Sequence, residues 1–146
     1  MKEKSPLKNK TAWNQNIPEK DIRQFQTEIE AWKRLLNFRM EENILLKNTI
    51  SDILKHSNDQ NFLEEIEDFQ TMFIKEDELI HSMRRELNDV EDLLYNKIFE
   101  DGKMKKLFDT KMENLSKDIA NSTSRFRILK SAFNDFQHNI SNKREN

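Results

Sequence analysis

The chain of 146 residues holds one glycine, two prolines and no cysteine, and its 25 basic and 27 acidic residues leave a net charge of −2. Average usage would give about ten glycines, so the Gly-rich loops that cradle phosphates and dinucleotides are excluded; without cysteine there are no disulfides, thiolate metal centres or thiol nucleophiles. Near-balanced charge also argues against a general nucleic-acid binder, which carries a basic face and a high pI.

Residues 1–15 are lysine-rich and aperiodic and read as a flexible basic tail, in which Trp13 is the one residue able to dock. The segment lacks the apolar stretch of a secretory signal, and no apolar run approaches the ~20 residues of a membrane span, so a cytoplasmic protein is expected. Asn16 is placed to cap a first helix, with Pro18 in its first turn and Glu19 at the third position. From Ile22 an alternating three–four spacing runs through Phe25, Ile29, Trp32, Leu36, Arg39, Asn43, Leu46, Ile50 and Ile53. The polar stretch His56–Asn61 is rich in turn-forming residues. A second series follows through Phe62, Ile66, Phe69, Phe73, Glu76, Ile80, Met83, Leu87, Val90 and Leu94. Asp101 and Gly102 mark the next break, Gly102 being able to take the left-handed conformation that ends a helix. The third series is Phe108, Met112, Leu115, Ile119, Ser122, Phe126, Leu129, Phe133, Phe136 and Ile140, with a second possible start at a Thr110–Glu113 capping box.

Apolar residues occupy 26 of these 30 positions, where a 35% apolar chain would place about ten by chance. In an antiparallel hairpin, facing residues have a constant sum of residue numbers. Ile53/Phe62, Leu46/Phe69, Trp32/Met83 and Phe25/Val90 satisfy this for the first pair of helices, and Leu94/Phe108, Leu87/Leu115, Phe73/Leu129 and Phe62/Ile140 for the second. The implied turns fall inside His56–Asn61 and at Asp101. The sequence therefore predicts an all-α, antiparallel up-down-up three-helix coiled-coil bundle, a single domain over 16–146, with helices over about 17–56, 60–100 and 104–141.

Two exceptions to the pattern are candidate sites. Arg39, Asn43, Glu76 and Ser122 interrupt the apolar seams close together, and the register sets Arg39 opposite Glu76 beside Phe126, with Arg125 able to compete for Glu76. This polar layer reads as an Arg–Glu pair that fixes register or, alternatively, as a small-ligand or metal site between helices. The second exception is surplus apolar surface on the first helix. Phe38, Ile44 and Leu45 fall on its outward face, and Leu35 and Met40 widen its seam, a girth of apolar residues not expected elsewhere. Shielding by the tail with Trp13 is one reading, and contact with a partner protein or a second copy is the other.

No catalytic constellation emerges. Glu78-Leu-Ile-His81 has the Glu-x-x-His spacing of di-iron bundles, but both residues fall outside the seam, and only Asp135-Phe-Gln-His138 comes near a second motif. Lys103–Lys106 and Arg125–Arg127 are short and balanced by acidic neighbours, so they read as solvated faces. Trp32–Phe38 followed by Glu65–Ile74, with its Phe69-Gln-Thr-Met-Phe-Ile74 run, resembles small uncharacterised coiled-coil proteins of Bacteroidetes. That resemblance implies a compact helical bundle and carries no activity, cofactor or site residue with it. The expectation is a non-enzymatic bundle with no cofactor, acting through a protein partner or homo-oligomer at the first helix, with no nucleic acid and no membrane span. The alternative is a ligand- or metal-binding bundle using the polar layer.

Overall fold

The computed structural model describes residues 19–96 and 102–145. It consists of three long helices, α1 (Glu19–His56), α2 (Gln60–Tyr95) and α3 (Gly102–Glu145), and no strand occurs among the described residues. No proline interrupts any of them, and the one glycine stands at the first position of α3, so nothing in the chain breaks the backbone ladder. The basic tail at 1–15, Trp13 and the Asn16–Pro18 cap lie outside the described residues.

The first turn is made without glycine. Lys55 and His56 close α1, where cations suit the negative end of the helix dipole. Ser57–Asp59 then reverse the chain, and the Asp59 carboxylate accepts from the Asn61 amide at 2.9 Å and the Phe62 amide at 3.4 Å. It thereby satisfies donors that a helix start leaves open.

The second connection differs from the sequence expectation. α2 ends at Tyr95, short of residue 100, and Asn96 turns back onto Asp92 through a 2.9 Å amide bond. α3 begins at Gly102 and runs on to Glu145, past residue 141. Gly102 opens a helix instead of ending one, and its backbone lies outside the left-handed region. Thr110 and Glu113 sit well inside α3 and cap nothing, because the helix has already begun a full two turns earlier.

The helices build two compact units. One is made by the described part of Met1–Leu36 with Met83–Asp118, the other by Asn37–Ser82 with Ile119–Asn146. In the first, Ile29, Leu36, Leu87, Val90, Phe108 and Leu115 are buried, and the Phe25 ring meets Phe108 edge-on with centroids 4.9 Å apart. Lys33 Nζ donates to both carboxylate oxygens of Glu91 at 2.6 and 2.7 Å, tying α1 to α2.

In the second unit, Ile50, Ile66, Phe73, Phe126, Phe133 and Ile140 form the centre of the core. Phe133 sits among rings, with Phe69 at 5.2 Å and Phe73 at 5.5 Å in edge-on contact, arrangements that add about 0.5–1.5 kcal/mol each beyond burial. Contacts step backwards along α2 as they step forwards along α1: Arg39 meets Glu76, whereas Asn43 meets Phe73. Phe62 pairs with Phe136 and Phe73 with Phe126 in the same reversed sense, so successive helices are antiparallel. Every buried residue among those described belongs to one of the three periodic series, and the remaining series positions are half-buried.

Candidate functional site

All four polar seam residues are buried and lie in the second unit, Asn43 and Ser122 with no exposed surface. Periodicity places them there: each occupies a position that the helix must turn inward to keep its apolar neighbours in the core. Arg39 Nη2 donates to Ser122 Oγ at 2.8 Å, and to Glu76 Oε1 and the Ser122 carbonyl at 3.3 Å each. Its guanidinium lies over the Phe126 ring, 5.0 Å from the centroid. Ser122 thus shares Arg39's layer. Arg125 does not displace Arg39 but approaches the second carboxylate oxygen, Glu76 Oε2, at 3.7 Å, so Glu76 serves two arginines.

Asn43, one turn along from Arg39, donates to the Phe73 carbonyl at 3.0 Å and to Asp77 Oδ1 at 2.5 Å. Asp77 also takes an ion pair from Lys47, and Lys130 reaches Glu42 on the other flank of α1. Asp77 did not stand out in the sequence because it lies beside the seam, not in it. The usable signal is that Lys47 and Asp77 have the same residue-number sum as the pair Lys33 and Glu91.

The electrostatics of the layer are one-sided. Burial lowers the Arg39 pKa, against the opposing pull of Glu76, so the carboxylate does not fully offset the loss of water around the guanidinium. Arg39 Nε and Nη1 and Asn43 Oδ1 are buried without a hydrogen-bond partner. The arrangement can hold a charge and lock register. As for metal-type chemistry, Glu78 and His81 are both exposed, and the described residues bring no three His, Cys, Asp or Glu side chains together.

On α1, Phe38, Ile44 and Leu45 are 61%, 47% and 67% exposed. Leu35, the fourth candidate contact residue, is half-buried. Apolar residues are open on the other helices too: Met72 and Ile74 on α2 and Ile128 on α3. Between α2 and α3 a groove of about 650 Å³ is lined by Met72, Leu79, Ile128, Leu129 and Ala132 together with the charged residues Lys75, Glu76 and Arg125. Periodicity alone could not find it, because it depends on how side chains from two helices meet beside their seams. No helix among the described residues is long and apolar enough to cross a membrane. No family model, curated protein or solved structure matches the chain, so the resemblance to the Bacteroidetes proteins rests on residues 32–38 and 65–74 alone.

Proposed function

We propose that this protein is a non-enzymatic bundle that works by protein–protein contact, self-associating through α1 as a scaffolding element of the cytoplasm. The carrying observation is the exposure of Phe38, Ile44 and Leu45 within two turns of one helix. A soluble helix normally turns charged and polar groups outward, and clustered apolar exposure marks interaction surfaces. The cysteine-free composition fits a reducing compartment. Sedimentation velocity across a concentration series tests this: the native chain associates over a micromolar range, and Leu45→Glu keeps it monomeric with unchanged helicity. A native chain that stays monomeric at hundreds of micromolar overturns it.

A second reading, a bundle holding a small ligand or metal at the polar layer, draws on the three buried polar atoms that lack a partner. A thermal-shift screen with divalent metals and small anions would support it through a shift that disappears in Glu76→Gln.

A further inference from the structure

The α1 ridge has a counterpart on the same unit. Phe38, Glu41 and Leu45 follow one another at three- and four-residue spacing, so they form one continuous outward stripe. All three are exposed, and Glu41 has no ion pair within the described chain. The α2–α3 groove is concave and apolar where this stripe is convex and apolar. Lys75, which lines it, is exposed and has no ion pair among the described residues, whereas Arg125 is already engaged with Glu76.

The two surfaces lie at one level. Glu76, in the groove wall, bonds to Arg39, the chain neighbour of Phe38. Lys130, between groove residues Leu129 and Ala132, pairs with Glu42, the chain neighbour of Glu41. They also face apart. Arg39 and Asn43 point from α1 toward α2 and α3, so the opposite side of α1 points away from the cleft those two helices form.

From this we infer that the α2–α3 groove is the docking site for the Phe38–Leu45 ridge of a second copy of this chain, with Glu41 of one copy set against Lys75 of the next. The inference rests on the reading of α1 as a self-association surface and specifies its partner. Because the two surfaces are different, each joined pair leaves one ridge and one groove open. The contact is heterologous and continues into a ring or an open array instead of stopping at a dimer. A contact of a few apolar side chains is far smaller than a standard interface, so each junction is weak and exchanges quickly. The single ion pair makes it salt-sensitive.

The test uses two full-length variants at exposed positions, Leu45→Glu, which blocks the ridge, and Ile128→Glu, which blocks the groove. Each alone is expected to be monomeric with native helicity. An equimolar mixture is expected to form a heterodimer and nothing larger, joining the ridge left on one to the groove left on the other. A charge exchange provides a second line: Glu41→Lys and Lys75→Glu each weaken association about fivefold, and mixing the two restores it. If Ile128→Glu alone still dimerises and the mixture gives no heterodimer, the ridge pairs with itself. The groove inference then fails, while the self-association reading stands. If the native chain does not associate at all, that reading fails first.

Discussion

Glu76 accepts from Arg39 on one carboxylate oxygen and faces Arg125 on the other, and this asymmetry sets what truncation does. Glu76→Leu leaves the Arg39 guanidinium buried with Ser122 as its polar partner, and is expected to cost about 3–5 kcal/mol. Arg39→Leu leaves a carboxylate that still has Arg125, and should cost about 3 kcal/mol or less. The double variant should recover most of the loss, because the burial that depresses the Arg39 pKa is then no longer a penalty. Urea unfolding of the three variants gives the ranking, and equal losses for both single variants would contradict it. Lys33 offers a pH handle. Its hydrogen bond to Glu91, chiefly, raises its pKa, so the stabilisation is fully present below the unfolded-state value of about 10.4 and is lost as pH rises through the folded one. Lys33→Met should therefore differ from the native chain by at most about 1 kcal/mol at neutral pH, a difference that vanishes on strongly alkaline titration. Arg39, Asn43, Glu76 and Ser122 were legible in the sequence because each breaks an otherwise apolar period. Asp77 and the groove did not stand out, since both lie beside the seams, where burial enforces no period; Arg125 was legible as a claimant on Glu76, but not that Glu76 holds both arginines.

The helices differ in how their ends are made. Asp59 carries the start of α2 through two amide bonds, so Asp59→Ala should cost about 1 kcal/mol and lower the melting temperature without changing helical content. Phe133 packs against Phe69 and Phe73 with no exposed surface; Phe133→Ala should cost about 3–5 kcal/mol, readable in the same denaturation series. The seams and the first turn were legible because burial enforces the helical period and because turn-forming polar residues interrupt it. The second connection was harder to place. Gly102 is compatible with either end of a helix, and only the backbone shows that it opens one. Leu35, at the edge of the seam, is half-buried, as the margin of an apolar stripe should be.

For the whole molecule, a net charge of −2 and a pI near 6.0 leave little long-range repulsion between copies. Association should be strongest near pH 6 and weaken toward pH 9 as like charge accumulates, a trend that light scattering can follow. Charge balance was legible from residue counts alone, whereas the groove needed α2 and α3 to be assembled first. The division into two units also decides what a spectroscopist sees. Both tryptophans of the chain fall in residues 1–36, and Trp32 is half-buried in the first unit. The ring-rich core around Phe133 lies in the second unit, whose residues include no tryptophan. Indole emission in a Trp13→Phe chain therefore reports on one unit, while circular dichroism reports on both. Since each helix contributes to both units, the two signals should trace a single melting curve; an emission change displaced by several degrees would instead expose separate unfolding, each event with its own enthalpy.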